Sequence, residues 1–398
     1  MKIKLAVLFG GRSVEHEVSV ISALQAMENL NADKYDIIPV YIAKNGEMFT
    51  GDVLRDMDEY KNIPELLKKS IAVNFVIRDG KTLLTRKIPK RFSSNDITEV
   101  EVALPVVHGT NVEDGALQGY LRTLGLPFAG CDVLASAVGM DKYVMKAMLR
   151  DGGFPVLDSV RFRRSAYVDK MTVVEAVESK IAYPVIVKPV NLGSSVGISK
   201  ASDRDGLIKS LDEAFTYADT VLVEKAVVKL REINCSVVGD ADFAEASECE
   251  EPFMCDEILS YKDKYMDGGK GSKGSSKGMA GLKRKVPADI SPEKREEIRG
   301  LAVEAFKHLG CSGVSRIDFM IDDEDGKLYI NEFNTIPGSL AFYLWKPVGV
   351  SYTELLDKLI SIALKRNRNE AEITYSFDSN ILAMGSARGA KGSKGAKS

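Results

Sequence analysis

VSRIDFMIDDEDGKLYINEFNTIPG, residues 314–338, reads as two short strands joined by a polar turn over residues 322–326. Side chains alternate across a strand, so Glu332 and Asn334 point to one face. Simple pairing of the hairpin brings Asp318 to the same face, with Arg316 beside it. Two carboxylates and an amide oxygen converge there, and no His or Cys joins them. Hard oxygen ligands of this kind suit magnesium beside a phosphate better than zinc. The acids alternate with Ile317, Phe319, Leu328, Ile330 and Phe333, where an unpartnered charge is costly. The hairpin therefore predicts a nucleotide-dependent enzyme over a solvated turn with scattered acids.

The loop KPVNLGSSVG at 188–197 supplies the complementary half. Gly193 and Gly197 permit tight turns, so that Ser194, Ser195 and backbone amides wrap phosphate oxygens. Lys188 ends an apolar strand, where its charge needs an anion. The loop lacks the Gly-Lys-Ser/Thr order of a Walker loop. Alone it is a weak signal; with the hairpin it provides the cations, amides and metal ligands of phosphoryl transfer. In VLVEKAVV at 221–228, Glu224 and Lys225 read either as a solvated strand end or as an adenine slot. In the second reading Glu232 bonds a ribose hydroxyl.

The chain has 398 residues, enough for two or three domains, with 45% hydrophobic and 28% charged residues and a net charge of −3. That charge argues against a global field for nucleic acid or anionic lipid. No apolar run approaches a membrane span. The opening MKIKLAVLFGG imitates a short signal peptide, but it lacks a cleavage site and reads as a buried first strand. Five scattered cysteines without zinc spacing indicate free thiols in the cytosol.

An apolar run at 3–9, a glycine turn, a helix over 17–30 and a strand at 37–42 form a βαβ unit, which implies a parallel sheet. Residues 44–100 look like an insertion on that domain. A strand at 102–107, a helix at 117–124 and a short strand at 126–129 follow. The middle of the chain has a helix over 141–150 and strands at 185–187 and 221–224. Later come a helix over 292–309, the hairpin and a helix over 352–365. Two Gly/Ser/Lys-rich segments, 268–281 and 385–398, cannot bury an apolar face. The internal one is the better candidate for a functional loop.

Taken in order, the blocks GGRSVEHEVSVIS (10–22), HGTNVEDGALQGYL (108–121), SAVGMDKYVMK (136–146), KPVNLGSSVG, YKDKY (261–265), RID and NEFNTIPG resemble the D-alanine–D-alanine ligases. The resemblance spans residues 3–365. It implies an ATP-grasp fold of α/β and α+β parts. These would be an N-terminal Rossmann-like domain with a parallel sheet (1–137), a central small domain (138–225), a C-terminal domain (226–370) with a lid at 260–281, and a flexible tail (371–398). It implies ATP with two magnesium ions, manganese being able to substitute, and a cytoplasmic homodimer acting in peptidoglycan precursor synthesis. Neither nucleic acid nor membrane is an expected partner.

By the same resemblance Glu15, supported by Ser194 and Tyr265, holds the ammonium of the first D-alanine. His108 lies beside its reactive carboxylate. Lys142, Lys188, Ser195 and Lys264 contact the ATP phosphates. Glu224, Lys225 and Val227 bind adenine, and Glu232 binds ribose. Asp318, Glu332 and Asn334 hold magnesium, while Arg316 and the Gly338 amide stabilise the tetrahedral intermediate. From the residues alone, Glu15 is a helix N-terminal carboxylate favoured by the macrodipole. His108 is equally a satisfied strand-end histidine or a site residue.

The chain departs from the family pattern at three points. Val112 replaces a common glycine. The loop after Tyr265 is unusually rich in Gly and Lys. Residues 339–347, SLAFYLWKP, stand where many relatives carry His-Ser-Leu, whose Ser binds the second carboxylate. The expected substitutes are backbone amides of 339–343 with the hydroxyl of Ser339 or Tyr343, and Lys346 less so. D-serine or D-lactate as second substrate stays open, although Tyr265 argues against lactate. A nucleotide-binding regulator without turnover is the non-enzymatic alternative.

Overall fold

The computed structural model describes residues 2–193, 196–252 and 284–375. Three sheets organise them. The first contains β1 (Ile3–Gly10), β2 (Tyr35–Ile42), β3 (Met48–Thr50), β4 (Ile71–Arg78), β5 (Lys81–Arg86), β6 (Asp96–Glu99) and β7 (Val102–Val107), in the order β6-β5-β4-β3-β2-β1-β7. β1 pairs in parallel with β2 and β7, as the βαβ reading requires. β3 to β6 extend the sheet through antiparallel ladders, so the 44–100 insertion does belong to this layer. β1 and β7 are almost continuously buried, as expected of strands covered on both faces. The predicted strand at 126–129 is a single bridge, Ala103 to Phe128.

The second sheet has β8 (Ser159–Arg163), β9 (Val185–Pro189), β10 (Ser199–Ala201) and β11 (Thr220–Lys225), in the order β10-β9-β11-β8. Val173, Val177, Leu207 and Leu211, from the Lys170–Glu178 and Arg204–Tyr217 helices, close its core. The third has β12 (Leu230–Gly239), β13 (Ala244–Pro252), β14 (Arg284–Lys285), β15 (Gly313–Asp322) and β16 (Leu328–Asn334), in the order β14-β13-β12-β15-β16.

Three helices depart from the linear reading. Ala135 and Val138 of the Val133–Met140 helix, and Met145 and Leu149 of the Lys142–Asp151 helix, share one core with the third sheet. Leu355, Leu356 and Leu359 of the last helix, Tyr352–Ala371, join the core of the first sheet. That helix outruns its predicted end because Arg366, Arg368, Glu370 and Ala371 are good helix formers and no Gly or Pro stops it. Helical residues 138–151 and 352–371 thus tie the layers together and fix the walls of the cleft between them.

Candidate active site

A cavity of about 350 Å³ opens between the second and third sheets, and Glu15 and His108 close it from the first. Its lining mixes apolar walls with many charged side chains of both signs, as a site for a charged small molecule requires. β15 and β16 pair as the sequence predicts: Asp318 lies opposite Glu332 and Arg316 opposite Asn334. A bulge follows Asp318, a feature that re-aims side chains beside many sites. On the opposite face Ile317, Phe319, Ile330 and Phe333 are buried. Arg316 clamps Asp318 through Nε and Nη2 at 2.7 and 2.8 Å, and Asn334 Nδ2 donates to Asp318 Oδ2 at 3.0 Å. Burial pushes the Asp318 carboxyl up, with Glu332 and Glu250 adding to it and Arg316 opposing.

Lys142 occupies the first turn of its helix, which Asp141 caps. Its Nζ donates to Leu192 O at 2.9 Å and lies 3.3 Å from Glu332 Oε2. One ammonium therefore links the loop before Gly193 to the hairpin. Lys188 contacts Asn331 Oδ1 at 3.3 Å and forms an ion pair with Glu224. The other Glu224 oxygen pairs with Lys146 at 3.0 Å. All three groups of this Lys–Glu–Lys triad are at most 5% exposed. Burial opposes ionisation of Glu224, but the two ammoniums outweigh it and hold the carboxyl below its usual range. Burial brings Lys146 down to about 8.

The Glu224 side chain is therefore taken by the two lysines. Lys225, Val227 and Glu232 line the same cavity wall, as does Gly338 at the far end. Lys146 was not singled out in the sequence. Its signal was the i, i+4 spacing from Lys142 on one helix face.

Glu15 stands at the N-cap of the His16–Asn29 helix, yet its side chain makes no capping bond. It turns into the cavity instead. A methyl group placed on Gly109 would come within 2.8 Å of Glu15 Oε2, and one on Gly193 within 3.1 Å. Gly109 also has φ +82°, so glycine is required there twice over. Ser194, Ser195, Lys264, Tyr265 and the 260–281 lid lie outside the described residues.

His108 is a fully satisfied interior histidine that also lines the cavity. Nδ1 lies 2.8 Å from Ile336 O, so this nitrogen carries the proton. Nε2, at 3.0 Å, then accepts from the Ser22 hydroxyl. Ser22 Oγ in turn accepts the Ser339 N–H at 2.9 Å. Burial lowers the His108 pKa and favours this neutral form. The relay pins a rare turn: Ser339, Leu340 and Ala341 all have φ of 51–52°. Left-handed backbone at three successive non-glycine residues is strained, and surrounding bonds must hold it.

Two expected carboxylate donors are corrected here. Ser339 is fully buried, and its hydroxyl donates to Gln25 Oε1 at 2.7 Å. The Tyr343 hydroxyl donates to Glu250 Oε1 at 3.0 Å. Glu250 also accepts from Asn234 Nδ2 at 3.1 Å and Arg284 Nη1 at 2.9 Å. Arg284 and Glu250 were missed because their meeting depends on the β13–β14 ladder, which leaves no spacing signal in the chain.

Glu113 was also missed. It accepts the Gly109 and Ile336 N–H groups, both at 2.9 Å, and so latches the 108–115 loop to the turn before Gly338. Burial pushes its pKa up to about 8, and the nearby Glu15 charge acts in the same direction. The folded state therefore holds this proton where the unfolded chain has lost it. The stabilisation is complete at acid pH below the ordinary glutamate range and is lost as pH rises through about 8. Glu113→Gln is expected to flatten the fall in stability between pH 5 and 8. Urea unfolding across that range checks it, and an unchanged slope would mean that Glu113 is ionised throughout.

A family description of the D-ala D-ala ligase C-terminus matches residues 148–361, and one of the N-terminus matches residues 4–131. A D-alanine–D-alanine ligase from Caldicellulosiruptor bescii is 40% identical over 384 residues, 94% of this chain and 99% of that protein. The solved D-alanine–D-alanine ligase from Coxiella burnetii superposes with a TM-score of 0.76 at 28% identity, covering 93% of this chain and 96% of that one. The VanG D-Ala:D-Ser ligase from Enterococcus faecalis superposes with a TM-score of 0.75 at 32% identity, covering 91% and 100%. The second and third sheets gripping one cavity, with the layer of the first supplying Glu15 and His108, are the ATP-grasp architecture, and this chain belongs to the D-alanine–D-alanine ligase family of ATP-using ligases.

Proposed function

We propose that this chain joins two molecules of D-alanine into D-alanyl-D-alanine, with ATP converted to ADP and phosphate. The observation that carries the reading is the meeting of Glu15, the Lys142–Lys188 pair and the Asp318–Glu332–Asn334 face in a single cavity. A carboxylate oxygen of the first D-alanine bonds to the γ-phosphorus as the bond to ADP breaks. The amine of the second then bonds to the acyl carbon, phosphate leaves with the electrons of the C–O bond, and the proton lost from the amine passes to the departing phosphate. Glu15 pairs with the first ammonium. Lys142 and Lys188 lie along the phosphates, with Ser195 and Lys264 assigned there by family resemblance. Glu232 takes a ribose hydroxyl, and the same resemblance assigns Ser194 and Tyr265 to support Glu15. Arg316 and the Gly338 amide face the oxyanion. Such a site works by positioning and charge neutralisation.

Asp318, Glu332 and Asn334 are the residues that would hold magnesium. Their donors are all oxygen, which fits magnesium and also manganese. Two carboxylates and one amide leave room in an octahedral shell for substrate phosphate oxygens and water. Bound there, the ions would neutralise charge on the transferring phosphoryl group.

The domain bounds 1–137, 138–225 and 226–370, a homodimer and a cytoplasmic place belong to the same proposal. No helix among the described residues is long and apolar enough to cross a membrane. D-Serine as second substrate is the alternative, favoured by the replacement at 339–347 and by the likeness to VanG. The test is ADP release from purified enzyme with ATP and magnesium, with D-alanine present or absent, and mass analysis of the product. D-Alanine-dependent ADP release with dipeptide supports the proposal. D-Alanyl-D-serine as the preferred product from an equimolar mixture would replace it, and no ADP release would leave a nucleotide-binding regulator.

A further inference from the structure

The turn that carries Gly338 is anchored at Ile336. This residue gives its N–H to Glu113 Oε1 at 2.9 Å, and its carbonyl accepts from His108 Nδ1 at 2.8 Å. Side chains of the 108–113 loop thus hold both backbone polar groups of one residue. Thr335 Oγ1 adds a longer contact to the same Glu113 oxygen at 3.4 Å. Pro337 stands between Ile336 and Gly338, at φ −66°, and its carbonyl accepts the Leu340 N–H at 2.7 Å. The proline ring fixes φ and the turn bond restrains the next torsion, so the position of Ile336 is passed to the Gly338 N–H with little slack.

The other end of Glu113 is placed differently. Oε2 accepts the Gly109 N–H at 2.9 Å. The Gly109 carbonyl in turn accepts the Glu113 N–H at 2.9 Å, and Asn111 Nδ2 of the same loop donates to Arg12 O at 2.9 Å. These backbone and Asn111 bonds survive removal of the carboxyl and keep the loop in place. The Ile336 end is the one set loose, to pivot on its bond to His108.

An oxyanion donor matters in one of the two chemical steps. Attack of the D-alanine carboxylate on the γ-phosphorus leaves its carbonyl carbon trigonal. Attack of the second amine makes that carbon tetrahedral and puts charge on its oxygen, which is where a fixed N–H counts. A displaced Gly338 amide therefore slows amide-bond formation and spares acyl phosphate formation. An acyl phosphate that waits escapes from the site and is hydrolysed. Water oxygen bonds to the acyl carbon, phosphate leaves with the electrons of the C–O bond and takes the proton that water loses, and D-alanine is regenerated.

We propose that Glu113 is the positioning residue of the Gly338 amide, acting through Ile336 and Pro337, and that it couples acyl phosphate formation to amide-bond formation. This rests on the ligase reading above and on the oxyanion role that reading gives to Gly338.

The test compares ADP released with dipeptide formed, in one reaction with ATP, magnesium and D-alanine. The parent should release one ADP per dipeptide, the stoichiometry of the coupled reaction. Glu113→Ala should lower dipeptide formation by about 10²-fold, the cost of a small misplacement at a reacting centre. ADP release should fall far less, so that the ratio of ADP to dipeptide rises roughly 10-fold or more. The KM for ATP should stay at the parent value. Glu113→Gln keeps one carbonyl oxygen for the Ile336 N–H and should give a ratio between those of the parent and the alanine variant. It decides the matter if the alanine variant does not fold. A folded variant in which ADP and dipeptide fall together, with the ratio unchanged, overturns the coupling role and makes Glu113 a structural latch. A parent enzyme without D-alanine-dependent ADP release overturns the ligase reading instead.

Discussion

Glu332→Gln is expected to lower turnover by about 10²- to 10³-fold, the range seen when one preorganised electrostatic partner is removed from a transition state. Glutamine keeps the size of the side chain and an amide oxygen, and it removes one negative charge. The lost charge faces Asp318 across the ladder and lies 3.3 Å from Lys142. Lys142 retains its bond to Leu192 O, so its position survives. The side chain is 26% exposed, which keeps the effect on stability small. Two measurements separate chemistry from folding. Urea unfolding should match the parent, and the magnesium-dependent gain in ADP affinity should be lost. Parent-like turnover in the folded variant would take Glu332 out of phosphoryl transfer.

The 314–338 hairpin was legible because strand periodicity and a polar turn fix its register locally. Asp318 opposite Glu332 follows from that register, and the opposite face is apolar throughout. The βαβ start was legible for the same reason, since a continuous apolar strand, a glycine turn and a helix follow each other in the chain. What failed to show were contacts between distant segments. Glu250 meets Arg284 across β13 and β14, and Glu113 meets Ile336 across 223 residues. No local pattern encodes either. The 339–341 turn was unreadable for another reason: left-handed backbone normally announces itself through Gly or Asn, and here Ser, Leu and Ala adopt it. The bonds from Ser22, Gln25 and Pro337 that hold it come mainly from another helix. For Glu15 the sequence placed the residue correctly at a helix start but gave no direction for its side chain. Gly109 and Gly193, which make room for the carboxylate, supply that direction.

The Lys146–Glu224–Lys188 triad carries the largest expected effect on stability. Glu224 serves two buried ammoniums with its two oxygens. Removing the shared partner leaves both charges desolvated, and breaking a buried pair in this way costs about 3–5 kcal/mol. Glu224→Ala should therefore lower unfolding free energy by roughly that amount at pH 7. The pH dependence has a defined sign. Burial depresses Lys146 to about 8, so between pH 8 and its ordinary value the unfolded chain binds the extra proton. Stability from this group then rises with pH across that window. Without Glu224 the depression deepens, and the penalty should shrink as alkaline pH neutralises the lysine. Adding Lys146→Met to Glu224→Ala tests the coupling directly, because it removes one stranded charge. The double variant should recover about 0.5–3 kcal/mol of the loss. Urea unfolding at pH 7 and pH 9 reads all these quantities. A Glu224→Ala cost below about 1 kcal/mol would place the triad with ordinary surface ion pairs and refute its burial.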